Sequence, residues 1–165
     1  MKVTGRAHVV GDDVNTDVNC SAKYMPGKDT AYVALHAFES IAPEFVSRFA
    51  KGDVIVAGRN FGINSSREQA LQVMRVLGVS AVVATSFGRQ FFRNAINSGM
   101  PVVECDTAGI EEKDVVEVDL GAGRLTIAGR HIERSFPPLP SEVQTLLAAG
   151  GLIPFLQRHP DWNTA

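Results

Sequence analysis

Val54-Ile55-Val56-Ala57-Gly58-Arg59-Asn60-Phe61-Gly62-Ile63-Asn64-Ser65-Ser66-Arg67-Glu68 is an apolar run that stops at a glycine and passes through a polar loop into a charged segment. Four apolar residues between Gly52 and Gly58 read as a buried strand over Val54 to Ala57. Ala70, Val73, Met74 and Leu77 then recur at the spacing of one helical face, which gives a helix over Ser66 to Leu77. The pattern continues with a strand over Ala81 to Ala84, a helix over Arg89 to Asn97 and a strand over Pro101 to Glu104. Strands alternating with helices in this way favour a parallel sheet with helices packed on it.

Upstream, Val3 to Val10 reads as a strand and Gly11 to Asp17 as a polar turn. A loop with Pro26 and Gly27 leads to short helical patterns around Ala31 to Phe38 and Pro43 to Ala50. Downstream, short strands over Val115 to Val118 and Leu125 to Ala128 are joined through Gly121 and Gly123. Helices over Ser141 to Ala149 and Leu152 to Arg158 close the chain, separated by Gly150 and Gly151. With no repeat, low-complexity tract or long linker, residues 1–165 are expected to form one α/β domain.

The chain is long enough to build a core without disulfides. Its 16 basic residues face 18 acidic ones, so no charge excess points to nucleic acid. No apolar run approaches the roughly 20 residues needed to cross a bilayer, and the first residues lead into no signal segment, so a soluble cytoplasmic protein with no membrane partner is expected. Cys20 and Cys105 are too few and too far apart for a disulfide framework or the ligand set of a zinc or iron–sulfur site, and they read as buried structural thiols. No metal site is expected in this chain.

The loop from Gly58 to Glu68 leaves the carboxyl end of a buried strand, where open α/β sheets bind ligands. It enters a helix N-terminus, whose unpaired amides and partial positive charge attract anions. The hydroxyls of Ser65 and Ser66 and the guanidinium of Arg67 can converge there on a carboxylate, with Arg67 binding it bidentately. Ser65 to Glu68 also forms an S-x-x-E capping box, which contributes about 1 kcal/mol with no catalysis. The two roles are compatible.

The segment Phe61 to Glu68 resembles the Gly-Ser-Ser-Arg-Glu signature of aconitase-family swivelling domains. Ala84-Thr85-Ser86-Phe87-Gly88-Arg89, followed by Arg93-Asn94-Ala95-Ile96-Asn97-Ser98-Gly99, resembles the family's next segment. Gly11-Asp12-Asp13-Val14-Asn15-Thr16-Asp17 resembles its opening Asp-x-x-Thr-Asp turn, and Leu147 to Leu152 the break between its closing helices. The similarity covers nearly the whole chain and is most specific from Asp53 to Glu104. It implies an α/β fold, a single swivelling β/β/α domain of the aconitase C-terminal type.

The resemblance also implies a function. Members of this family remove and re-add water on hydroxy-acids with a 4Fe–4S cluster. With no suitable cysteine cluster here, the cofactor is expected on a separate large subunit, and this chain is expected to be the inactive small subunit of a two-chain hydro-lyase. The substrate implied is a substituted malate, isopropylmalate first, with citramalate, dimethylmalate or homoaconitate as alternatives and a non-catalytic carboxylate-binding module as the reading from another class. By the same resemblance Ser65 is the base that takes the proton from carbon, Ser66 and Arg67 hold substrate oxygens, and Asp17 meets a histidine of the cluster-bearing subunit. Asp17 also reads as a turn residue bonding its own backbone. Tyr24 to Lys28 occupies the loop that faces the variable end of the substrate in relatives, so Lys28 is a candidate substrate contact by resemblance, whereas the residue alone reads first as a solvated surface lysine.

Ile63-Asn64 stands where relatives commonly have Cys-Gly, and Gln69 where they have histidine. Arg130, His131 and Glu133 read as surface residues, and Phe87, Phe91 and Phe92 as core.

Overall fold

The computed structural model describes residues 1–161 apart from Ser21, Met25, Ser65 and Ser66, and gives Ala22 in its backbone alone. Its elements are β1 (Lys2–Val9), α1 (Thr16–Asn19), a 3-10 turn (Ala22–Tyr24), α2 (Thr30–Ala34), α3 (Phe45–Arg48), β2 (Val54–Ala57), α4 (Glu68–Leu77) and β3 (Ala81–Ala84). They continue with α5 (Arg89–Asn97), β4 (Val102–Glu104), β5 (Val115–Asp119), β6 (Arg124–Ile127), β7 (Glu133–Ser135), α6 (Ser141–Ala148) and α7 (Leu152–Arg158).

The strands form one seven-stranded sheet in the order β4-β3-β2-β1-β5-β6-β7. β1 to β4 pair in parallel, as the alternation of strands and helices implies, whereas β5, β6 and β7 are antiparallel additions to the other edge of β1. β1 serves both halves. Its residues Lys2 to Arg6 pair with β5, and Ala7 to Val9 pair with Val54 to Val56 of β2.

Every residue of β2 and β3 is buried. Successive residues alternate between two apolar clusters, Ile55 and Ala57 joining Phe38, Phe45, Phe61, Leu71, Met74 and Phe91, while Val54 and Val56 join Val116, Val118, Leu125 and Ile127. A strand covered on both faces has no polar position, which is why these segments are continuous apolar runs. Phe87, Phe91 and Phe92 pack in the first cluster, as expected. No helix among the described residues is long and apolar enough to cross a membrane.

Three expectations are corrected. The helix expected from Ser66 begins at Glu68, with Arg67 extended at φ −86° and ψ 128° in the capping position. Glu68 is thus the first helical residue and not the third, so the S-x-x-E spacing does not describe this start. The polar turn expected as far as Asp17 gives way at Thr16 to a one-turn helix, α1. Glu133 is exposed, as expected, and lies in an additional strand, β7.

Candidate active site

The loops that follow β1, β2 and β3 leave the carboxyl ends of three adjacent parallel strands and are tied to one another. From the β2–α4 loop, the Gly58 and Gly62 amides donate to the carbonyls of Gly11 (2.8 Å) and Val14 (2.8 Å), and the Arg59 carbonyl accepts from Asp13 N–H (2.7 Å). On its other side the Phe61 amide donates to the Ser86 carbonyl (3.0 Å), and the Phe61 carbonyl accepts from Gly88 N–H (2.9 Å). Phe61 and Phe87 form a parallel bridge that prolongs the β2–β3 pairing into the loops. The Phe61 ring is fully buried against Phe91, 5.2 Å between centroids and edge to face. With the Thr85 amide donating to the Gly58 carbonyl (3.0 Å), one apolar anchor and six backbone bonds hold a polar loop against its neighbours.

Side chains add to this. Asp12 accepts from the Arg59 amide (2.7 Å) and faces its guanidinium (3.2 Å), and these contacts, the amide first, lower the Asp12 carboxyl below its ordinary value. A Cβ at Gly58 would fall 1.7 Å from Asp12 Oδ1, so a side chain there would push the Asp12 carboxylate off the Arg59 amide. Asn60 Nδ2 donates to Asp13 Oδ1 (2.7 Å), and the Asn60 amide donates to Ser86 Oγ (2.9 Å). Asp13, Asn60 and Asn64 all have left-handed backbones, with φ of 52°, 58° and 57°. Asp and Asn tolerate that region best among residues with a Cβ.

Asp17 lies in the first turn of α1, which Asn15 caps by accepting from the amides of Asp17 (3.0 Å) and Val18 (3.4 Å). Its carboxylate reaches Arg67 across the gap between loops, Oδ2 to Nε 3.6 Å, and the Arg67 side chain is half exposed. The structure thus brings two of the expected site residues together. Ser65 and Ser66 fall outside the described residues. Lys28 lies beside α4, its Nζ 4.8 Å from the Tyr32 ring centroid. There it borders a cleft of about 180 Å³ with Thr30, Val33, Gln69 and Val73. Asp12, Asp13, Arg59, Asn60 and Ser86 were not singled out as site residues by type or spacing. The available signal was the clustering of Asp and Asn, the residues that accept left-handed turns, in two of the loops.

The cysteines do not suit an iron–sulfur cluster. Cys20 and Cys105 are buried in different clusters on opposite faces of the sheet. Burial, then the Asp17 carboxylate, pushes the Cys20 thiol well up, and burial, then Asp106, pushes the Cys105 thiol to about 11. Iron ligation needs thiolates. Among the described residues no group of three or more His, Cys, Asp or Glu side chains is arranged to hold a metal.

Residues 26–107 match the model of the aconitase C-terminal domain family. A 3-isopropylmalate dehydratase small subunit of Halothermothrix orenii is 46% identical over 93% of this chain and 94% of its own length. The chain belongs to the 3-isopropylmalate dehydratase small-subunit family. A second small subunit of that name, from Archaeoglobus fulgidus, is 43% identical over 98% of each chain. The crystal structure of the 3-isopropylmalate dehydratase from Methanocaldococcus jannaschii superposes with a TM-score of 0.89 at 39% identity, covering 97% of this chain and 96% of that one. The aconitase-type fold and the hydro-lyase class implied by the sequence are both upheld, and the chain is a subunit of such an enzyme.

Proposed function

We propose that residues 1–165 act as one domain that completes, with a larger cluster-bearing subunit, a cytoplasmic hydro-lyase interconverting 3-isopropylmalate and 2-isopropylmalate in leucine biosynthesis. The observation that carries this is the approach of Arg67 to Asp17 where three loops meet at the carboxyl ends of parallel strands. That position suits a small dicarboxylate. The full-length similarity to small subunits of that name supports the choice of substrate.

In this reading the Arg67 guanidinium, half exposed and aligned by Asp17, takes a substrate carboxylate in a two-pronged contact. Ser66 donates to an oxygen of the same group. Ser65 accepts the proton from the carbon next to the one that loses hydroxide, so proton and hydroxide leave as water and a double bond forms between the two carbons. Returning water to the same double bond with the opposite orientation gives the isomer. The helix start at Glu68 and the charge of Arg67 favour the anionic form of a nearby serine. Lys28, across the α2–α4 cleft, contacts the variable end of the substrate. The 4Fe–4S cluster belongs to the large subunit, whose histidine meets Asp17, and nucleic acid and membranes play no part.

Anaerobic reconstitution of this chain with its large subunit tests the reading, with the unsaturated intermediate followed by absorbance. Turnover of isopropylmalate is expected with both chains present and with neither alone. If the reconstituted pair acts on none of isopropylmalate, citramalate, dimethylmalate or homoaconitate, the enzymatic reading is lost. Ser65→Ala is expected to abolish turnover while the pair still assembles, and undiminished activity would remove Ser65 from the base role.

A further inference from the structure

The β1–α1 turn and the β2–α4 loop touch through side chains at two ends. At one end Asp17 meets Arg67. At the other, Asp13 meets Asn60 and Asp12 meets Arg59, each across 47 residues of sequence. Ser65 and Ser66 fall between Asn60 and Arg67 in the chain. The two contacts at this second end differ in kind. The Asp12–Arg59 ion pair is largely exposed, 46% and 70% on the two side chains, and such pairs are weak and screened by salt. The Asp13–Asn60 bond is short, 2.7 Å, and joins two residues that both hold left-handed backbones.

Asn60 makes one contact more. Its amide donates to the Ser86 hydroxyl at 2.9 Å, so among the described residues it alone binds by side chain to the loop after β1 and by amide to a side chain of the loop after β3. An exposed residue that keeps a costly backbone conformation and joins three loops is poorly explained by stability. Its contacts fix geometry.

We propose that Asn60, with Asp13 and Ser86 as its partners, is a positioning residue of the hydro-lyase site. It sets the separation between the turn that carries Asp17 and the loop that carries Ser65, Ser66 and Arg67. This rests on the function proposed above for those residues. Asn60 touches no substrate. It acts through the loop, and misplacement of catalytic groups by about 1 Å can cost on the order of 100-fold in rate.

The test uses the reconstituted two-subunit enzyme, whose wild-type turnover stands as the separate check on the function itself. Asn60→Gly keeps the left-handed backbone and deletes the brace, so it is expected to fold with an unchanged melting temperature and to lose kcat by roughly 10- to 100-fold. Asn60→Asp sets a carboxylate against Asp13 and should lose as much. The exchange Asp13→Asn with Asn60→Asp rebuilds the bond with the polarity reversed and should recover most of the lost kcat. Wild-type kcat in Asn60→Gly, or no recovery in the exchanged pair, overturns the proposal, since a residue that serves only the turn's backbone would be satisfied by glycine.

Discussion

The role proposed for Arg67 rests on what a guanidinium can do that an ammonium cannot. Its planar fork holds one carboxylate through two parallel bonds, whereas lysine offers a point charge. Hydrogen bonds to charged groups contribute about 1.5–3 kcal/mol, so Arg67→Lys is expected to raise the KM for the hydroxy-acid by roughly 10- to 100-fold. Because the side chain is half exposed, the melting temperature should stay unchanged, and steady-state kinetics with a thermal melt separate the two effects. Asn64 shows how a departure from the family pattern reads once φ is known. Where relatives of the resemblance carry glycine, this chain holds φ 57° with asparagine, which accepts that region. The substitution therefore preserves the turn beside Ser65 and takes nothing from the isopropylmalate reading. Asn64→Ala should cost about 1 kcal/mol in urea unfolding, and Asn64→Gly close to nothing.

The elements were legible wherever packing imposes a period. β2, β3 and α5 have the bounds that their residue pattern implies, because four buried residues in a row or an apolar stripe at helical spacing leave little choice. α1 escaped because it is a single turn held by the Asn15 cap, too short to show a stripe. β7 escaped because Glu133, Arg134 and Ser135 are polar or charged, and only pairing with β6 makes them a strand. Residue type and place in the chain made Arg67 a candidate and the family resemblance made Asp17 one, but neither pointed to the Asp13–Asn60 bond. That contact follows from β1 and β2 lying in parallel with Val9 beside Val56, a register no local pattern reveals. Phe61 is where element and site meet, a buried ring carried by an otherwise polar loop. Phe61→Ala should destabilise the protein by about 3–5 kcal/mol, the usual cost of emptying a phenylalanine site. Chemical denaturation measures the loss, and activity should fall with it at temperatures where the wild type remains folded.

Across the whole molecule, charge pairing stabilises the fold in a pH-dependent way whose sign follows from the carboxylates. Asp53 is 5% exposed at the start of β2. Burial alone would raise its carboxyl, but the Ala50 amide (3.0 Å), His8 Nε2 (2.8 Å) and Arg6 outweigh burial and hold it below the ordinary value. Lys23, then His36, bring Glu39 down to about 2, and Asp12 and Asp119 are lowered by backbone amides. A carboxyl with a lower pKa in the folded chain binds fewer protons there than in the unfolded chain. Stability is therefore fully present above about pH 4 and falls as pH drops through the folded values. Melting temperatures measured from pH 7 to pH 2 should hold steady and then decline below about pH 4. Asp53→Asn should lower stability at neutral pH by about 1.5–3 kcal/mol, since it weakens bonds to charged partners, and should flatten part of the acid decline. Added salt distinguishes the sources. Near 1 M the screening length is about 3 Å, so the contribution that Glu39 draws from exposed Lys23 should shrink, while those of buried Asp53 and of the amide-bonded Asp12 and Asp119 persist. A decline of unchanged steepness in Asp53→Asn at high salt would remove Asp53 from this account.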